Sequence, residues 1–160
     1  MQSTPSWRDD LAPGDILSIV YPSSEGDPRF ERPRPCLVLA VDRSGPEPEL
    51  LVAYGTSAMT RANTGYEIRV TQEGSMRDAG LHRPTRFVAA RRMRLGLSSP
   101  RIVVCVQGTA RIGRLSGDLR PRLEHVLSLL PSEIPPRSAE RDRRARHLRR
   151  GHRPRAATGG

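Results

Sequence analysis

The sequence contains no lysine, and all 27 of its basic residues are arginine. That bias speaks first of GC-rich coding and only second of a phosphate-binding surface. Aromatic residues are scarce at 4%, so base-stacking platforms cannot be numerous, and Tyr54, Tyr66 and Phe87 are assigned to the core. Cys36 and Cys105 are too few and too far apart for a disulfide scaffold or a zinc site. Both sit in apolar runs and are expected to be buried thiols. The longest such runs, 36–41 and 102–106, fall well short of the roughly 18 residues that a spanning helix needs, so no membrane partner is expected. No glycine-rich phosphate loop, metal-ligand cluster or nucleophile motif is found. This argues against readings as an NTPase, a zinc hydrolase or a serine hydrolase, and neither a metal nor a cofactor is expected. Residues 1–10 hold Pro5, Trp7, Arg8 and two aspartates where a secretory signal has a basic start and an apolar stretch, so a cytoplasmic location is expected.

What is present fits one compact domain. The chain has 160 residues, 36% hydrophobic and 28% charged, enough apolar content for a single core. The net charge of +10 is unevenly placed. Residues 137–160 carry nine arginines against Glu140 and Asp142, a net +7. Within the rest, residues 79–117 hold eight arginines and no acid, whereas twelve acids lie between Asp9 and Asp78. If the acid-free stretch forms one face, its field suits a polyanion; the competing reading scatters these arginines over a solvated surface.

Short strand signals follow one another closely. Residues 15–21 follow a Pro13-Gly14 turn, and 36–41 (CLVLAV) are apolar at both parities, as for a central strand covered on both faces. Residues 49–54 read as a third strand. Residues 66–70 alternate, which predicts Tyr66, Ile68 and Val70 inward and Glu67 and Arg69 outward. Residues 85–90 and 102–107 complete six candidates. One helix is expected near the end, where Leu119, Leu123, Val126, Leu127 and Leu130 form a single stripe. Asp118 is its expected N-cap, which puts Pro121 at the third helical position, where the missing N–H would be unpaired anyway. Pro131, Pro135 and Pro136 should end it, and residues 137–160 read as mostly disordered. The pattern predicts a mainly β protein, a small barrel or sandwich. The loop 22–35, with four prolines among mixed charges, is longer than hairpin loops usually are, and such loops are often functional.

Five segments in order carry a resemblance to a known family. They are Pro13-Gly14-Asp15-Ile16, then Arg34-Pro35-Cys36-Leu37-Val38-Leu39, then Tyr54-Gly55-Thr56-Ser57, then Ala79-Gly80-Leu81 leading into Thr85-Arg86-Phe87, and finally Ile112-Gly113-Arg114-Leu115-Ser116. Together, over roughly residues 12–130, they resemble the MazF/PemK toxins of bacterial toxin–antitoxin pairs. The resemblance implies an SH3-like, strongly twisted β-barrel with a C-terminal helix. It also implies a homodimer that cleaves single-stranded RNA without a metal and is held in check by an antitoxin. Residues 1–11 are then an N-terminal extension, 12–134 the barrel domain and 135–160 an arginine-rich disordered tail.

The resemblance also implies site residues. Arg34 aligns with the arginine that family members need for cleavage, and its planar fork suits a pentacoordinate phosphorane. The competing role is an ion pair with Glu31 or Asp27 that closes the loop. Thr56 aligns with the family's threonine; its hydroxyl can donate to phosphate, or bond its own backbone at a strand end. Some members have a glutamate five residues before the arginine, where this sequence has Arg29. Glu31 is therefore the first choice of base, ahead of Asp27 and Glu25, and these acids also read as balance for Arg29, Arg32 and Arg34. His82 is a further proton shuttle or a solvent-exposed loop residue. Ser57, Arg32, Arg83, Arg86 and Arg92 are expected to hold RNA, with Arg91 and Arg94 extending the channel. Two other functions stay open: a CcdB-like gyrase poison that acts by protein contact, and a nucleic-acid-binding module without catalysis.

Overall fold

In a computed structural model, residues 6–21, 31–61 and 64–130 are described. The expected tail, the prolines from Pro131 onward and the loop residues Glu25, Asp27 and Arg29 lie outside these segments. The protein is mainly β. One antiparallel sheet is built from β1 (Asp15–Val20), β2 (Pro33–Asp42), β3 (Glu49–Thr56), β4 (Glu67–Val70), β5 (Thr85–Gly96) and β6 (Arg111–Arg114). The order across it is β4-β5-β3-β2-β1-β6, and it curls into a half-barrel. Helix α1 (Glu73–Asp78) lies between β4 and β5, and α2 (Leu119–Leu129) follows β6.

The curl has identifiable causes. Where β3 steps from Ala53 to Tyr54, the partner on β5 jumps from Arg92 to Val88, so residues 89–91 bulge out of the ladder. A second irregularity lies between Val38 and Ala40. Bulges of this kind raise the local twist and bend the strand.

Alternation along the strands sends apolar residues to both faces. Leu37, Leu39 and Ala53 join a cluster with Ile16, Phe87, Leu115, Leu123 and Val126. Cys36, Val38, Leu50 and Val52 join another with Leu17, Ile19, Met93 and Ile102. The double apolar parity of residues 36–41 thus has the predicted cause over 36–39, whereas Ala40 is exposed and Val41 half-buried. Helix α2 lays its stripe on the first cluster through Leu123 and Val126, flanked by Leu119, Leu127 and Leu130. Truncating Leu123 to Ala would cost about 2 to 5 kcal/mol. Asp118 is the N-cap as expected, although its side chain makes no capping hydrogen bond. Leu11 is buried in the second cluster and Trp7 packs against it, so the packed domain begins before residue 12.

Four expectations are corrected. Tyr66 is exposed and Glu67 buried, the reverse of the alternation reading, because Glu67 enters with two arginine partners. Residues 102–107 form no strand: Ile102 makes one isolated bridge to Ile19, and Val106 is fully exposed. The sixth strand is β6 instead. Cys105 is exposed, unlike Cys36, because it stands in the turn closed by the Gly108 N–H on its carbonyl. Helix α1 is an addition, six residues long with none fully buried.

Folding also cancels the charge polarity seen along the chain. Antiparallel pairing brings the early acids against the late arginines. Asp15 and Asp10 take Arg114 and Arg111, Glu67 takes Arg86, Glu49 takes Arg94 and Glu31 takes Arg101. The stretch 79–117 is therefore not one unpaired basic face.

Candidate functional site

Strand β2 opens with Pro33-Arg34-Pro35, three residues ahead of its apolar run. A proline inside a sheet normally leaves a ladder bond unmade. Here the loss is avoided by position. Ser18, opposite Pro35, donates its N–H to the Ala110 carbonyl at 3.0 Å and accepts the Val103 N–H at 2.9 Å, both on the side away from β2. The alternation of an antiparallel ladder then turns Pro35 toward β3, past the last β2–β3 pair at Cys36 and Tyr54. Arg34, between the prolines, pairs with Ile19 of β1 and leaves its side chain exposed. The residue is thus held by one neighbouring strand and open on the other side.

Close approach brings β3 to the same place. A Cβ on Gly55 would run into the Pro35 carbonyl and come within 2.8 Å of Phe87 Cε1, so only glycine lets the strands meet there. Thr56 follows at the strand end. Its Oγ1 accepts the Ala58 N–H at 3.1 Å, which is the expected local bond, and the hydroxyl proton takes no part in it.

The opposite wall comes from the connection between α1 and β5. Gly80, at φ +68°, lies directly against the Ile112 carbonyl, and Gly113 lies against the backbone of Asp78 and Ala79. Two glycine-containing segments of the sequence thus pack backbone on backbone, tying the end of α1 to β6. The chain then emerges as His82-Arg83, both exposed, and Thr85 Oγ1 donates to the Arg83 carbonyl at 2.9 Å.

A cleft of about 370 Å³ results, lined by Arg34, Thr56, Ser57, His82 and Arg83, with Ser18, Thr85 and Ile112 among the other contributors. Its described lining is rich in donors and cations and holds no carboxylate. The contrast is an open hollow of about 610 Å³ beside Trp7, Asp9, Asp10 and Arg111, whose two carboxylates disfavour a phosphate. Among the described residues no cluster of three metal-ligating side chains occurs.

The other expected site residues lie elsewhere. Glu31 sits 3.9 Å from Arg101 and does not line the cleft. Arg32 is exposed outside the lining, and Arg92 is half-buried on β5 opposite Ala53. Arg86 is buried: it donates to Glu67 Oε2 at 2.9 Å and to Thr60 Oγ1 at 2.8 Å, so it holds β5 to β4 instead of facing a ligand. Burial pushes the Glu67 carboxyl up, but hydrogen bonds from Arg69 and Arg86 outweigh that and hold it below the ordinary glutamate value. The supporting glycines at 55, 80 and 113 were signalled in the sequence only as parts of longer segments. Ile112 was signalled likewise, within the segment that holds Gly113, whereas Ser18 carried no signal of its own, because pairing alone brings β1 to the cleft.

No family model matches the sequence, and no curated protein matches it.

Proposed function

We propose that the domain is a metal-independent endoribonuclease acting on single-stranded RNA, the toxin of a toxin–antitoxin pair of the MazF/PemK kind. In this reading the half-barrel is the SH3-like fold of that family, a cytoplasmic homodimer restrained by an antitoxin. The observation that carries it is the convergence of Arg34, Thr56, Ser57, His82 and Arg83, distant in sequence, on one cleft without a described carboxylate.

The chemistry follows from those groups. RNA supplies its own nucleophile, the 2′-hydroxyl, so the protein must position a phosphate, stabilise the phosphorane and move protons. The Arg34 guanidinium can grip two non-bridging phosphate oxygens as negative charge builds on them. The Thr56 hydroxyl donates to one of the same two non-bridging oxygens, since its backbone bond leaves its proton unused. Arg83 and Ser57 hold flanking phosphate without reading sequence. A gyrase poison of the same fold would need no such donors, and a binding module would hold RNA without cutting it. Incubating the chain with single-stranded RNA in EDTA separates the three. Cleavage to 2′,3′-cyclic phosphate ends, or their hydrolysis product, supports the enzyme; binding without cleavage, or inhibition of gyrase without RNA cleavage, overturns it.

A further inference from the structure

We propose that His82 is the general base of this cleavage, taking the proton from the attacking 2′-hydroxyl. The inference rests on the endoribonuclease reading and fills the role that Glu31 leaves vacant, since Glu31 lies against Arg101 outside the cleft.

Elimination among the described lining residues leads to the imidazole. Arg34 and Arg83 carry donors only and cannot accept a proton. Thr56 Oγ1 already accepts the Ala58 N–H, which leaves it a donor, and the Thr85 hydroxyl is spent on the Arg83 carbonyl. Ser18 and Ser57 are ordinary alcohols. Histidine is the side chain that exchanges protons around neutral pH. His82 is exposed, and its ring makes no hydrogen bond or ion pair to another described residue, so it is available to substrate. Among the described residues, the charged groups that line the cleft with it are Arg34 from β2 and Arg83 from its own loop. β1 presents Ser18, β3 presents Thr56 and Ser57, β5 presents Thr85 and β6 presents Ile112, none of them ionised. The departing 5′-oxygen also needs a proton, and water supplies it.

The step balances without a co-reactant other than water. An imidazole nitrogen takes the 2′-hydroxyl proton as the 2′-oxygen bonds to phosphorus. The bond from phosphorus to the 5′-oxygen breaks, and its electron pair leaves on that oxygen, which takes a proton from water. The imidazolium returns its proton to the hydroxide so formed. The products are a 2′,3′-cyclic phosphate and a 5′-hydroxyl.

The test uses the full chain in EDTA. A random-sequence single-stranded RNA pool first maps a cleavage site. Two oligoribonucleotides carrying that site are then compared, one natural and one with sulfur in place of the bridging 5′-oxygen, whose thiolate leaves without needing a proton. His82→Gln and His82→Asn should lose about 10²- to 10⁴-fold in rate on both substrates at unchanged Tm. They should also lose the rise of kcat/KM with pH on its acid side, and added imidazole should restore part of the activity of His82→Ala. Recovery on the sulfur substrate alone would make His82 the acid and overturn the base assignment. Wild-type rates in both variants would remove His82 from proton transfer while leaving the endoribonuclease reading intact. A wild-type chain that cleaves no RNA would overturn both.

Discussion

Arg86 Nη1 meets Glu67 Oε2 at 2.9 Å between β5 and β4, with both side chains almost wholly buried. An arginine that sequence assigns to an RNA channel is therefore a fastening of the sheet. Removing one member of a buried pair strands the other in low dielectric, which costs about 3 to 5 kcal/mol. Glu67→Gln should lower stability by that order in a chemical denaturation curve. Arg86→Ala should do likewise, and the fraction that stays folded should bind RNA as the wild type does. Weakened RNA binding at undiminished stability would return Arg86 to the substrate.

The same carboxylate gives a pH dependence. Glu67 holds its proton less tightly in the folded chain than unfolded, so the unfolded chain binds more protons near the ordinary glutamate value of 4.5. Its contribution is complete above that value and is lost as pH falls through the lower folded one. Denaturation midpoints should drop on acidification below about pH 4.5, and Glu67→Gln should flatten that decline. An identical acid limb in the variant would show that other carboxylates carry it.

How far the sequence reaches depends on what holds each element. The run at 36–39 was readable because burial on both faces leaves a local apolar trace. Tyr66 and Glu67 were inverted because the alternation rule ranks polarity and cannot see that buried Arg86 and exposed Arg69 both meet the carboxylate. Strand β6, RIGR, has no apolar period and exists through its pairing with β1. Helix α1 is too short for a stripe and begins Glu73-Gly74. At the site, Arg34, Thr56 and Ser57 were legible by resemblance and His82 and Arg83 by chemistry. Their meeting depends on the contacts of Gly55, Gly80 and Gly113, which only the folded backbone displays.

Those glycines divide into required and replaceable. Gly80→Ala meets both a positive φ and the Ile112 carbonyl, and overpacking of this kind costs about 1 to 3 kcal/mol. A methyl group on Gly74, inside α1, would meet nothing within 4 Å, so Gly74→Ala should stabilise by about 0.4 to 1 kcal/mol. Thermal melts of the two variants should move in opposite directions.

The cysteines should differ in reactivity. Burial pushes the Cys36 thiol up to about 12, so it stays protonated and shielded at neutral pH, while Cys105 is exposed. A thiol reagent under native conditions should modify one cysteine, Cys105 by peptide mapping, and both only after denaturation. Rapid native labelling of Cys36 would mean that β2 opens locally.

Arg34 offers the sharpest separation of chemistry from architecture. It is exposed at the head of β2, and none of the described carboxylates pairs with it, so nothing in the described fold depends on its charge. Arg34→Ala should leave Tm unchanged and slow RNA cleavage by at least about 10²-fold, the cost of losing a transition-state donor. Arg34→Lys should recover only part of the rate, because a point charge cannot reproduce the two-pronged grip on phosphate. Thr56→Val removes one hydrogen bond to a charged phosphate oxygen and should cost about 10- to 10²-fold, in keeping with a donor worth roughly 1.5 to 3 kcal/mol. The ordering Ala below Lys below wild type in rate, at constant Tm, identifies Arg34 with phosphorane stabilisation. A fall in Tm of several degrees with normal cleavage by the remaining folded protein would instead make it a residue of the loop and strand.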